Sequence, residues 1–113
     1  MAQAFLRHRP ITDTGELRKV ATGIAAMKAS AAQVRALETL ARHHIADAEV
    51  LERLAELYSR ARSGEVQRAV AEVFIRSDLS AVNARALAER LQRDRVGRGD
   101  ALIDTLIERL QSS

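Results

Sequence analysis

The spacing of apolar residues constrains this chain most: they recur with the helical period in six successive stretches, and no segment alternates long enough to argue a strand. Leu17, Val20, Ala21, Ile24 and Met27 form the first stripe, and Val34, Leu37, Leu40, Ala41 and Ile45 the second. Val50, Leu51, Leu54, Leu57 and Tyr58 follow, then Val66, Ala69, Val70, Val73 and Phe74. Ala84, Leu87, Ala88 and Leu91 make the fifth, and Leu102, Ile103, Leu106, Ile107 and Leu110 the sixth. An all-α chain of about six helices is therefore expected.

The breaks between stripes carry helix-start chemistry. A short side-chain oxygen before the first turn accepts from N–H groups that have no partner in the helix. Asp13 with Glu16, and Ser30 with Gln33, have capping-box spacing, in which the second side chain returns a bond to the cap. Asp47, Ser63, Ser80 and Asp100 are simpler caps. These signals place helices at 13–28, 31–44, 48–61, 64–77, 81–94 and 100–111. Short connections make successive helices pack antiparallel. The one Gly-rich, charge-rich loop is RDRVGRGD, 93–100.

The turns also repeat. LRHRPITD ends at Asp13, ARHHIAD at Asp47 and IRSDLS at Ser80, 34 and then 33 residues later. Leu54/Leu87, Ala55/Ala88 and Glu56/Glu89 agree at the same offset of 33. A helix pair recurring at this period is the mark of an α-solenoid, in which each unit buries its apolar face only against its neighbours. The segment SGEVQRAVAEVFIRSD, 63–78, resembles the second helix of a HEAT-like repeat in its short, phycobilisome-lyase-type form. Ser63, Glu65, Val66, Arg68, Ala69, Ala71 and Glu72 carry the resemblance, and SAAQVRALETLAR, 30–42, is a weaker copy. The Gly that usually follows this helix is replaced by RSD and RHH. The period is shorter than that of full HEAT units. It equals that of TPR repeats, but the TPR and ankyrin residue patterns are missing.

The resemblance implies antiparallel helix pairs stacked as a short, right-handed HEAT-like α-solenoid. Residues 1–113 then form a single domain: a partial first repeat 1–29, a second 30–62, a third 63–95 and a capping helix 96–113. MAQAFLR aligns with VAEVFIR of 70–76 without a gap, with Ala2/Ala71, Phe5/Phe74, Leu6/Ile75 and Arg7/Arg76 each 69 apart. The chain thus reads as the C-terminal part of a longer repeat protein. It is expected to be a monomer, or to self-associate weakly through its truncated N-terminal face.

Composition narrows the chemistry. The 113 residues hold no Cys, so disulfides and thiolate metal sites are excluded and the compartment stays open. The net charge of +3 comes from 18 basic against 15 acidic residues, mostly interleaved. No apolar run reaches the roughly 20 residues of a membrane span. Nucleophile motifs and Gly-rich phosphate loops are missing. His8 and His43 share a repeat position, but adjacent His43 and His44 project about 100° apart on a helix and do not converge on a metal. Histidines near helix C-termini suit the dipole there instead. HEAT-like enzymes similar to deoxyhypusine hydroxylase bind iron through His-Glu pairs, and this chain has no His-Glu dipeptide. The sequence therefore points to no cofactor, no metal and no enzyme.

Arg85, Arg90, Arg93, Arg95 and Arg98 form the densest basic segment, offset by Glu89, Asp94 and Asp100. Such arginines can grip a nucleic-acid backbone, although no aromatic residue is interleaved for stacking on bases. GRGD at 97–100 reads as a turn into a helix capped by Asp100 before it reads as an integrin-type motif. The expected function is a non-catalytic protein–protein interaction or scaffold module, with a nucleic-acid-binding solenoid using residues 85–98 as the alternative.

Overall fold

The computed structural model describes residues 14–80, 82–96 and 100–112, apart from the side chain of Thr14. Among these the chain is all-helical: α1 Thr14–Ala26, α2 Ser30–Leu40, α3 Ala48–Arg60, α4 Gly64–Arg76, α5 Ala84–Arg93 and α6 Ala101–Gln111. No described helix is long and apolar enough to cross a membrane. The Asp13 cap, His8, Arg98 and the Gly97–Gly99 turn lie outside the described residues.

Three of the expected caps form. Asp47 accepts from the Val50 amide at 3.0 Å, Ser63 from Glu65 at 3.2 Å, and Asp100 from Leu102 and Ile103 at 3.0 and 3.3 Å. Two expectations are corrected. Asn83, not Ser80, caps α5, accepting from the Ala86 amide at 3.1 Å. Ser80 donates its own amide to Asp78 Oδ1 at 3.0 Å, a local turn that holds the chain off the helix for several residues. Ser30 does not cap α2 either: Ala29 takes the cap position without a side-chain bond. Gln33 is buried and sends Nε2 to the Ile24 carbonyl at 3.0 Å. A side-chain amide buried without a partner is costlier than an exposed helix start that water can solvate, so Gln33 takes the Ile24 carbonyl, which also accepts from the Met27 amide at 3.1 Å.

The second helix is also shorter than expected. It closes at Leu40 with tight bonds from Arg42 to Thr39 and from His43 to Leu40, at 3.2 and 3.0 Å. His43 and His44 consequently lie in the turn beyond it.

Packing follows an alternating rule. The helices pair as α1 with α2, α3 with α4, and α5 with α6. Each also packs against the helix two places on: α1 on α3 on α5, and α2 on α4 on α6. Two layers of three helices result, and the shortest extent of 21 Å matches two helix diameters of about 10–12 Å each. Leu17, Ala21 and Ile24 of α1 are buried, as are Leu51, Ala55 and Tyr58 of α3, each 34 positions later. Leu54, Ala55 and Tyr58 correspond in turn, at an offset of 33, to the buried Leu87, Ala88 and Leu91 of α5. Ala21, Ala55 and Ala88 thus recur in one layer, where a small side chain lets neighbouring helices approach closely. Val20 and Met27 depart from their stripe, with 36% and 39% exposure.

Gln67 is fully buried at the meeting of three segments. Its Nε2 donates to the Tyr58 carbonyl at 3.0 Å and to the Asp94 carbonyl at 2.8 Å, and its Oε1 accepts from the Val96 amide at 2.8 Å. Beside it, the Tyr58 hydroxyl donates to the Leu91 carbonyl at 2.7 Å. Burial pushes the Tyr58 phenol up to about 12.

Gln67→Ala should destabilise the fold by about 3 kcal/mol, and Gln33→Ala by nearer 1 kcal/mol. Gln67→Ala removes the side-chain partner of the Asp94 carbonyl and the Val96 amide, at about 1–3 kcal/mol each and not additively, whereas the Ile24 carbonyl keeps the Met27 amide when Gln33 is lost. Urea unfolding of the two variants checks the order. Tyr58 is the chain's only tyrosine, so phenolate absorbance reports it alone. The folded protein should titrate near pH 12 and the unfolded chain near pH 10. With the folded value raised, the contribution is whole below about pH 10 and is lost as pH rises through about 12, so stability should fall across that window.

Candidate interaction surface

The arginine segment singled out by its density is not one free patch. Arg90 sits on α5 with its Nη1 on Glu52 of α3 at 2.9 Å and its Nε on Ser59 Oγ at 3.0 Å. Ser59 in turn donates to Asp94 Oδ2 at 2.7 Å. Arg93 reaches Asp94 Oδ1 at 3.2 Å. Arg95 pairs with Asp104 and donates to the Asp100 carbonyl at 3.2 Å. Arg85 is exposed on α5. The structure therefore uses Arg90 and Arg95 as ties between elements. The acidic partners lie partly far off in sequence, at Glu52 and Asp104, where local charge counting does not find them.

The same device joins α1 to α3. Arg18 forks onto Asp47 with Nε and Nη2 both at 3.1 Å, and also pairs with Glu49. Asp47 therefore caps α3 and receives Arg18 at once. The Arg18 hydrogen bonds hold its carboxyl below the usual aspartate range, with the Val50 amide adding to the effect. Arg93 and Ser59 lower Asp94 in the same way. Asp78 is lowered by hydrogen bonds from Ser80, and the His44 ring contributes a weaker pull. His43 has Nδ1 buried without a partner. Among the described residues, no group of three His, Asp or Glu converges in a way that could hold a metal.

Among the clefts that open between the described helices, two bring charged residues together. One, of about 570 Å³, crosses α2, α4 and α6, with Val34, Ile75 and Leu102 on its walls and Glu38, Glu65 and Glu72 at its edges. Arg68 and Arg76 also line it, but lean on Asp100 at 3.8 Å and Glu72 at 3.7 Å. The other, of about 440 Å³, lies between the C-terminal halves of α1 and α3 and is lined by Thr22, Arg53, Glu56, Arg60, Ala61 and Arg62 among others. Neither cleft stands out in the sequence. The spacing of Arg53 and Arg60, two helical turns apart, was the available signal, since residues seven apart share a helix face.

No family model, curated protein or solved structure matches this chain.

The lowered aspartates set an acid limit. A carboxylate held below its unfolded value contributes stability above about pH 4, and loses it as pH falls through the folded value. The melting temperature should therefore fall modestly below about pH 4, because solvent screens these pairs. Asp47→Asn should lower it at neutral pH and flatten the acid branch, since the amide cannot titrate. Thermal melts from pH 7 to pH 2 measure both slopes.

Proposed function

We propose that this chain is a non-catalytic protein–protein interaction module built as a HEAT-like α-solenoid of stacked helix pairs. The observation that carries the reading is the alternation of contacts, in which every described helix packs only on its hairpin partner and on the helices two places away among the described elements. Nearest-neighbour stacking of this kind supports a solenoid, whose product is an extended surface more than a single enclosed pocket. Two further correspondences support it. Gln33 and Gln67, 34 apart, each bond the carbonyl nine residues back at 3.0 Å. Ala21, Ala55 and Ala88 recur as buried small positions in successive helices of one layer.

On this reading the stacked units are the packed hairpins α1/α2, α3/α4 and α5/α6, which straddle the sequence bounds 30–62 and 63–95, and α6 is the last helix of the stack. The outer face of α6, with Asp104, Thr105, Glu108 and Arg109 exposed, suits a terminal element. Grooves between neighbouring helices are the natural seats for a partner. The nucleic-acid alternative ranks second, because Arg90, Arg93 and Arg95 already face carboxylates of their own chain.

Anisotropy titrations with duplex and single-stranded DNA over a range of salt should give weak binding with a shallow salt dependence. A steep slope, about one unit per phosphate neutralised, would move the assignment to the nucleic-acid reading. A partner identified by proximity labelling in the source cell, then reconstituted from purified components, should protect backbone amides along one or both clefts. Substrate turnover by the purified chain, abolished by a single change in a cleft, would overturn the non-catalytic reading.

A further inference from the structure

Part of the positive charge on the described residues is answered by the chain's own carboxylates. Arg18 pairs with Asp47 and Glu49, Arg90 with Glu52, Arg93 with Asp94, and Arg95 with Asp104. The cleft between α1 and α3 is different. Arg60 and Arg62 line it, and neither pairs with a described carboxylate. Arg53 reaches in from α3, with Nη1 on Thr22 Oγ1 at 2.9 Å and only a distant contact to Glu49 at 3.9 Å. Its Nε is buried and has no hydrogen-bond partner. Glu56 is the one carboxylate in the lining, against three guanidinium groups.

Carbonyls at the ends of α1 and α3 would repel an anion, but three of them are already hydrogen-bonded. Gln33 takes the Ile24 carbonyl and Gln67 that of Tyr58, and the Ala61 amide bonds Leu57 and Tyr58. The rest of the lining is Thr22, Gln33 and aliphatic residues, with Ala25, Ala26 and Ala61 reaching the surface. A volume of about 440 Å³ falls within the roughly 300–1,000 Å³ of pockets that bury an organic ligand, and exceeds what a lone ion fills.

We propose that the α1/α3 cleft receives an acidic, partly aliphatic peptide segment of a partner protein, its carboxylates on Arg53, Arg60 and Arg62 and an aliphatic side chain over Ala25, Ala26 and Ala61. The inference rests on the interaction-module reading and names the chemistry of its partner. Guanidinium groups suit the occupant because their planar forks match carboxylates in two hydrogen bonds.

The test is fluorescence anisotropy of the whole chain with a labelled peptide of alternating Glu and Leu, at low and physiological salt. The expected result is saturable binding that weakens with salt. Arg60→Glu with Arg62→Glu should reduce affinity at least tenfold, while a Lys–Leu peptide should not bind. Arg35→Glu with Arg85→Glu, of equal net charge but remote from the cleft, should bind like the parent. Circular dichroism verifies that both exposed double variants fold. Equal losses in the two double variants would mean general charge attraction and overturn the proposal, as would binding unaffected by the cleft variant. Inorganic phosphate or a single-stranded oligonucleotide competing as well as the unlabelled peptide would replace the acidic peptide with a phosphate ligand, and so overturn it too. If a reconstituted partner still binds the cleft variant normally while the peptide fails, this inference falls and the interaction-module reading stands.

Discussion

The side chain of Gln67 is the constraint on which most of this fold depends. It is the largest polar group wholly withdrawn from water, and such a group is tolerated only when its donor and acceptor positions are filled. Its partners belong to the end of α3 and to the chain leaving α5. One residue of α4 therefore fixes where the preceding helix stops and where the path after the next helix runs. Tyr58 reinforces the junction from α3 by bonding the Leu91 carbonyl of α5. Hydrophobic burial is non-directional and would allow these helices to slide. The buried amide and phenol select one register.

Around that junction the two layers are held differently. The layer of α1, α3 and α5 is laced by arginines to carboxylates and hydroxyls on its exposed side. The layer of α2, α4 and α6 relies more on apolar contact, from Leu37 and Leu40 through Val70 and Phe74 to Leu106 and Ile107. Exposed pairs contribute little each, about 0–1 kcal/mol, so the lacing matters more for orientation than for stability. Turns are tied across units as well, through the Asp78 amide on the Ile45 carbonyl at 2.8 Å and Arg109 on the Ile75 carbonyl at 2.9 Å.

Periodicity made all six helices legible in the sequence, because an amphipathic helix must put its apolar residues on one face. The Asp47, Ser63 and Asp100 starts were legible for an equally local reason. What escaped depends on distance in space. Ser80 and Asn83 are both good caps by residue type, and the choice between them follows from the Asp78 turn anchored to Ile45. Gln33 has capping-box spacing, yet the tertiary fold gives its amide a buried carbonyl. The arginines at 85–98 look like a surface until Glu52 and Asp104 arrive from other helices. Arg53, Arg60 and Arg62 are unremarkable in sequence, and their significance lies in lining one cleft together once folded.

The bonds made by Gln33 and Gln67 to the preceding helix end on main-chain oxygens, not on side chains. The residues that supply those oxygens are Ile24 and Tyr58, which differ in size, shape and polarity. A joint that reads only the backbone is indifferent to what it joins. Helices joined in this way can diverge in their side chains without redesigning the coupling, much as a standard thread accepts any bolt of the right pitch. Divergence on the exposed faces is then free, while one glutamine holds the two helices of each of these hairpins in register.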